Sequence, residues 1–511
     1  MFIEIMDTTL RDGEQTMGVS FSPVEKETIA RMLLDEVGVD RIEVASARVS
    51  TGEFEAVRRI TSYASRKGNL DKVEILAFID GTASIDWIAE AGGRVANLLT
   101  KGSLRHVREQ LRKEPEEHLR DIKRSIHYAR SKEMMVNLYL EDWSNGMINS
   151  PAYVFFLMDG LQDEPIERFM LPDTLGILNP YQTARFIRQV REQYPKLHLD
   201  FHAHNDYDMA TGNVLAAIRE GVNGVHTTVN GLGERAGNVP LASVAVLLND
   251  HLQAEHNLDE SQLTRISKIV ETFSGIRIPS NQPIVGENVF TQTCGVHADG
   301  DKKNNLYYND LLPERFGRSR QYALGKTSGK ANILKNLEEM GIDLDPESTR
   351  KITERVIELG DKKEQITKED LPYIIADVLN SNNQLHEPVK ILNYTLTLSS
   401  GLKPIANISI EIHGEVHKEN AAGDGQYDAF MRALWKIYDK LNIEHPMLTD
   451  YIVTIPPGGQ TDALVRANIS WKYQDHEFKT HGLDADQTEA AIKATEKMLN
   501  IVENIRQMQK A

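Results

Sequence analysis

The chain has 511 residues, a formal net charge of −17, and 41% hydrophobic and 26% charged residues, the balance of an ordinary globular protein. That length exceeds one core, so two or three domains are expected. The acidic balance weighs against nucleic-acid binding, which needs clustered Lys and Arg, and an anionic substrate would have to be held by local cations.

The opening stretch, "MFIEIMDTTLRDG", has no basic region followed by an apolar one, so no signal peptide is expected. No run of about 18 apolar residues occurs, so no membrane span is expected. The single cysteine, Cys294, leaves no internal disulfide and no thiolate cluster. A reducing cytoplasm fits. Over the first half, short β-branched runs alternate with helical patterns. The runs are "FIEIMDTTLRDG", "RIEVASA", "VEILAFID", "RVANLLTKG", "MMVNLYLED", "ERFMLPDT", "HLDFHAHND" and "GVHTTVNGLGERAG". Between the first two, "SPVEKETIARMLLDEVG" has apolar residues at helical spacing, a Ser cap and a terminal Gly. Eight βα units in about 250 residues is the size of a (β/α)8 TIM barrel; a doubly wound open sheet is the alternative.

Polar residues gather at the carboxyl ends of these runs: Arg11 and Asp12, Ser46, Asp80, Lys101, Glu141, Asp173 and Thr174, His202 and His204, Asn230 and Arg235. In a TIM barrel those ends converge on one mouth. His202 and His204 are two apart on a strand and so face the same way. An H-x-H pair alone is a weak signal. With Asp12 at the same mouth it becomes a candidate catalytic divalent-metal site. Tyr139 and Glu141 share strand parity and can both face inward. Leu76, Leu99 and Tyr139 are by default barrel-core residues, but their places near strand ends make them candidate pocket walls.

Past about residue 250 the character changes. We place the barrel at 1–270, linker subdomains at 271–387 and a C-terminal α+β domain at 388–511. The linker has turn-rich and helical parts. The C-terminal segments "NISIEIHGEVHKENAAGDGQYDAFMRALWKIYDKLN" and "ANISWKYQDHEFKTHGLDADQTEAAIKATEKMLN" both read strand, strand, turn, helix. This is a duplication with a period of about 60 residues and no catalytic cluster of its own. Several motifs carry less than they promise. "LGKTSGK" lacks the glycine a phosphate loop needs, since position 320 is Arg320. "GLGERAG" is a tight backbone loop, not a dinucleotide fingerprint. Cys294 has no activating partner nearby in sequence and reads as a packed residue. His297 sits in a loop and earns no role from the residues alone.

The stretches "DTTLRDGEQT", "HAHNDYDMATGN", "NGLGERAGNVPL" and "GVHADG" together resemble the isopropylmalate, homocitrate and citramalate synthases, over essentially the whole chain. The resemblance implies condensation of acetyl-CoA with a 2-oxo acid on a divalent metal (Mn2+, Mg2+ or Zn2+) in a TIM barrel. It implies metal ligands at Asp12, His202, His204 and Asn238. It places the catalytic arginine at Arg11, the active-site glutamate at Glu141, and the oxo-acid threonine at Thr174. It raises His297 and Tyr307 to linker residues that act at the site, often from a partner subunit, and so implies a homodimer. It makes the C-terminal domain an amino-acid feedback domain, with effector residues matching Tyr427, Asp428, Leu448, Tyr451 and Ile455.

Within the family, the "YLEDWSNG" stretch and the pair Leu76 and Leu99 look like the spirochaete-type citramalate synthases. Leu76, Leu99 and Tyr139 would then make a small apolar acceptor pocket, favouring pyruvate and isoleucine as effector. An isopropylmalate synthase, with 2-oxoisovalerate and leucine, is the alternative. Glu141 and His297 are both candidates for the base that deprotonates acetyl-CoA. A metal-dependent aldolase or lyase on the same barrel, and a non-catalytic binding protein, are the readings from other classes.

Overall fold

All eight runs form parallel strands: β1 (Glu4–Asp7), β2 (Arg41–Ser46), β3 (Val73–Phe78), β4 (Val95–Lys101), β5 (Met135–Glu141), β6 (Arg168–Asp173), β7 (Leu199–Ala203) and β8 (Gly224–Thr227). They pair in chain order, and β8 closes onto β1 with Glu4 opposite Gly224 and Asp7 opposite Thr227. The sheet is therefore the closed (β/α)8 barrel, and the open sheet is excluded. This is a computed structural model. It describes residues 1–294, 297, 299–300, 306, 309–340, 342–361, 366, 370–371, 374–375, 378, 388–455 and 465–510. The chain divides into two compact units, Met1–Phe290 with Tyr308–Arg320, and Thr291–Tyr307 with Gln321–Ala511.

Each strand splits its residues between two environments, as a period of two demands. One set, including Ile42, Val44, Ile75, Leu98, Leu138, Phe169, Phe201 and Val225, packs in the main core with the surrounding helices. The helix Thr51–Lys67 supplies Val57, Ile60 and Ala64 to that core. Burying each of the larger side chains contributes about 1.5–3 kcal/mol. The other set is largely polar. Arg41 of β2 reaches Asp200 of β7 at 2.6 Å, and Tyr139 of β5 lies 3.1 Å from His226 of β8. Neither strand pair is adjacent, so these contacts cross the barrel interior.

The first helix, Pro23–Met32, begins as its sequence predicts. Ser22 and Glu25 form a reciprocal capping box. After a π-helical turn, Leu33–Val37, the chain stops at Gly38, with φ of 79°. A Cβ there would lie 2.3 Å from the Asn257 carbonyl oxygen, so only glycine fits. The same helix carries Lys26, fully buried, whose ammonium donates to the Leu10 and Val44 carbonyls and pairs with Glu14 and Glu53 at 2.6 Å. Removing one partner of such a buried set costs about 3–5 kcal/mol. Lys26 thus ties down the turn that carries Arg11 and Asp12.

In the second unit, helices Lys330–Glu339 and Pro346–Asp361 pack through Ile333, Leu337, Ile352 and Val356. Two short strands, β9 (Thr291–Gln292) and β10 (Gln321–Tyr322), pair in parallel. The C-terminal duplication is real, with one more strand per repeat than the sequence pattern predicts. The first repeat is β11 (Val389–Thr397), β12 (Ile405–Ile412), β13 (Glu415–Ala422) and helix Gln426–Lys440. The second is β14 (Met447–Thr454), β15 (Val465–Tyr473), β16 (His476–Asp484) and helix Gln487–Lys510. The two three-stranded antiparallel sheets share one core, built on Ile408, Ile410, Phe430, Leu434, Ile469, Trp471 and Leu499. The first strands, β11 and β14, escape notice because they are poorly buried. β11 exposes Leu392, and β14 exposes Leu448, Ile452 and Val453, which blurs the alternation. Among the described residues no helix is long and apolar enough to cross a membrane.

Candidate active site

The turn after β1 is wound tightly about one carbonyl. The N–H groups of Arg11, Asp12 and Gly13 all donate to the Thr8 oxygen, at 3.1, 2.8 and 3.1 Å. This brings Asp12 to the barrel mouth, where His202 on β7 and His204 just past its end stand. The Nε2 atoms of His202 and His204 lie 3.2 and 3.6 Å from Asp12 Oδ2. One ligand atom from each residue falls within 4.8 Å of the others. Asn238 arrives by backbone pairing with His204. Its loop depends on Gly237, with φ of 81°, where a Cβ would meet the Gly231 carbonyl oxygen at 1.9 Å.

The donor set fits a divalent ion. Asn238 donates its amide to the Leu232 carbonyl at 3.1 Å, which leaves Oδ1 buried and unpartnered. Asp12 Oδ1 is likewise buried and unpartnered. Buried polar atoms are almost always satisfied, so these two orphaned oxygens, with Asp12 beside two imidazoles, point to an ion that accepts oxygen and nitrogen donors. The electrostatics agree. Burial alone would raise the Asp12 pKa, but Arg11, His202 and His204 outweigh it and hold the carboxyl well below its usual range. Burial, with His202 adding to it, lowers His204 to about 4, and burial lowers His202 too. A carboxylate and two neutral imidazoles are the forms that ligate.

Arg11 stands beside this group. Its Nε donates to Glu43 Oε2 at 2.5 Å, its NH1 lies 3.5 Å from Asp12 Oδ2, and its NH2 donates to the Tyr139 hydroxyl at 3.3 Å. Leu76, Leu99 and Tyr139 do come together, with Met6 and Met170, in a small apolar cluster separate from the main core. Register places Leu99 opposite Tyr139, and Lys101 opposite Glu141. Lys101 and Glu141 form an ion pair. The Thr174 hydroxyl accepts from the Asp142 N–H at 2.9 Å, which fixes its oxygen at the end of β6. Asp206, two residues after His204, instead pairs in a bidentate manner with Arg235, at 2.7 and 3.0 Å.

The remaining sequence candidates lie in the second unit. His297 is exposed there, and Tyr307 lies outside the described residues. Tyr427 and Tyr451 approach with ring centroids 5.3 Å apart, and the Tyr427 hydroxyl meets Thr495 Oγ1 at 2.7 Å. Asp428, in the first turn of its helix, accepts from the Asp424 N–H, while Leu448 and Ile455 are exposed. Sequence reasoning passed over Glu43 and His226, and gave Lys101 no role. Their signal was a polar residue at the inward parity of an otherwise apolar strand, as in "RIEVASA".

A family model described as HMGL-like matches residues 2–270. One for a homocitrate synthase post-HMGL domain matches 284–364, and one for the LeuA allosteric (dimerisation) domain matches 365–503. A Methanopyrus kandleri protein provisionally assigned as an (R)-citramalate synthase is 35% identical over 91% of this chain and 89% of its own. The (R)-citramalate synthase of Methanocaldococcus jannaschii is 33% identical over 99% of this chain and 100% of its own. The 2-isopropylmalate synthase of the same organism is 32% identical over 96% of this chain and 93% of its own.

Proposed function

We propose that this chain, which belongs to the HMGL-like family in the branch of the 2-isopropylmalate and (R)-citramalate synthases, condenses acetyl-CoA with a 2-oxo acid, and that the acid is pyruvate. The two kinds of relative are nearly equally similar, so the acceptor has to be read from the pocket. The observation that carries the choice is the apolar cluster of Leu76, Leu99 and Tyr139 with Met6 and Met170, beside Arg11. Four of its five side chains are buried and Leu99 is half-buried, which favours a methyl over an isopropyl group. The product would be (R)-citramalate and CoA.

Asp12, His202, His204 and Asn238 would hold the ion, as Mn2+, Mg2+ or Zn2+. When bound, it would act as a Lewis acid on the acceptor's keto oxygen. Arg11, aligned by Glu43, brings a permanently charged guanidinium to the same region, where negative charge develops as the keto carbon is attacked. Glu141, paired with Lys101, is one candidate to take a proton from the acetyl methyl group, and His297 is the other. The acetyl carbon, left with the electron pair of its C–H bond, attacks the keto carbon; the carbonyl π pair moves to the keto oxygen, which takes up a proton to become the tertiary hydroxyl. Water then cleaves the thioester and releases the CoA thiol. Thr174 would orient the acid carboxylate. The C-terminal domain would serve as a homodimer contact and as the seat of an amino-acid effector, isoleucine for the pyruvate reaction.

Steady-state thiol release with pyruvate, 2-oxobutyrate, 2-oxoisovalerate and 2-oxoglutarate tests the reading. Pyruvate should lead 2-oxoisovalerate in kcat/KM by at least about tenfold, from the cost of overfilling a packed pocket. Preference for 2-oxoisovalerate would replace the reading with the 2-isopropylmalate synthase reaction. Cleavage without condensation would favour a lyase.

A further inference from the structure

Below the metal-competent group, a file of buried side chains runs along the barrel interior. Asp200 on β7 anchors it. Arg41 donates to Asp200 Oδ2 at 2.6 Å, and His198 Nε2 lies 3.0 Å from Oδ1. An Arg-paired carboxylate only accepts hydrogen bonds. His226 Nε2, 3.2 Å from the same Oδ2, must therefore carry a proton. In a neutral ring with its proton on Nε2, the other nitrogen is an acceptor. That nitrogen, Nδ1, lies 3.1 Å from the Tyr139 hydroxyl.

Tyr139 has one proton to give and two acceptors in reach. Glu43 Oε2 is 3.4 Å away and already accepts from Arg11 Nε at 2.5 Å. His226 Nδ1 is nearer, at 3.1 Å, and among the described residues no other donor reaches it. The Tyr139 proton goes to His226, and the lone pairs of its oxygen receive Arg11 NH2 at 3.3 Å. Tyr139 and His226 are both essentially inaccessible, at 2% and 1% exposure, so no solvent competes for these bonds.

We propose that His226 is a positioning residue for acceptor selection: by accepting the Tyr139 hydroxyl proton it sets that ring as a pocket wall and keeps Glu43 free to align Arg11. This rests on the reading of Leu76, Leu99 and Tyr139 as the acceptor pocket. Without His226, Tyr139 would turn its proton to Glu43 and compete with Arg11 for one oxygen. Arg11 and the pocket wall would loosen together.

The test is a double-mutant cycle on the full chain, with wild type, His226→Leu, Tyr139→Phe and the double variant. Leucine offers Tyr139 no acceptor, whereas glutamine, with both an amide donor and an amide oxygen, serves as the conservative control. We expect His226→Leu to raise KM for pyruvate by about fivefold or more, the scale of one hydrogen bond, with His226→Gln nearer to wild type. KM for acetyl-CoA and bound metal should stay at wild-type levels. In the Tyr139→Phe background the effect of His226→Leu should shrink, because the proton it receives is gone. Additive effects, or a His226→Leu variant with wild-type KM for pyruvate, would overturn the proposal. If His226→Leu does not fold, 15N NMR of the His226 ring in wild type and Tyr139→Phe decides: a proton on Nε2 with an Nδ1 shift that moves in Tyr139→Phe supports the inference, and a proton on Nδ1 overturns it. A wild type that releases no thiol with any 2-oxo acid overturns the reaction reading and this proposal with it. Normal wild-type turnover with additive variants overturns the proposal alone.

Discussion

Lys101 and Glu141 stand opposite each other in the register of β4 and β5 and form an ion pair at the barrel mouth. Lys101 is held in turn by its backbone, whose N–H donates to His118 Nε2 at 3.2 Å and whose carbonyl accepts from the Tyr153 hydroxyl at 2.8 Å. If Glu141 is the base, Glu141→Gln should lower kcat by about 10²- to 10⁴-fold. Lys101→Met should lower it less, since the carboxylate remains. A pre-steady-state or steady-state rate for both variants checks this. Near-normal kcat in Glu141→Gln would pass the role of base to His297.

Asp12→Ala and His202→Ala each remove one candidate ligand. Both should lose bound metal and turnover together, while Arg11 keeps its bond to Glu43. Elemental analysis of the purified variants, beside thiol release, reads both quantities. Retention of stoichiometric metal in both variants would rule out this site.

Tyr139→Ser shortens a pocket wall. Overpacking by an isopropyl group costs about 1–3 kcal/mol in a tight site, or about 5- to 150-fold in kcat/KM. The variant should narrow the ratio of pyruvate to 2-oxoisovalerate by relieving that cost. Its absolute rate should fall, because Arg11 loses the Tyr139 oxygen. A ratio unchanged from wild type would remove Tyr139 from acceptor selection.

In the C-terminal domain, Tyr427 and Tyr451 face each other across the helix and β14. Tyr451→Ala should abolish inhibition by isoleucine while leaving basal turnover near wild type. Dose–response curves with isoleucine and leucine test this. Full inhibition in the variant would move the effector site elsewhere.

Acid should destabilise the barrel through His118. Burial, reinforced by Lys113, depresses its pKa from the ordinary 6.5 to about 4, although Asp121 opposes the shift. Below about pH 6.5 the unfolded chain binds a proton that the folded chain refuses. The stability this neutral ring contributes is intact above pH 6.5 and is lost progressively as pH falls to about 4, to a total of about 3 kcal/mol. His118→Gln retains an acceptor for the Lys101 N–H without that titration. Urea denaturation from pH 8 to pH 4 should show a flatter profile for the variant. Parallel profiles would assign the acid loss to other groups.

Strand periodicity, turn residues and helix caps are local properties. They placed all eight barrel strands, the Ser22 cap and the Gly38 stop before any packing was known. Parity did the same for His202 and His204, because alternation along one strand needs no partner. Motif resemblance supplied Asn238 as a candidate ligand, which nothing local in the sequence suggests. Contacts across the barrel were invisible in one dimension. Arg41 and Asp200 are 159 positions apart, and Tyr139 and His226 are 87 apart. No periodicity links residues on strands that are not neighbours. Only closure of the sheet brings their inward faces together. The extra strands β11 and β14 were hidden for the opposite reason, since half-exposed strands carry no clean alternation to read. The sequence by itself determined which side chains each strand turns inward. The tertiary structure decided which of them meet, because closing the barrel brings residues 159 and 87 positions apart to within a few ångströms.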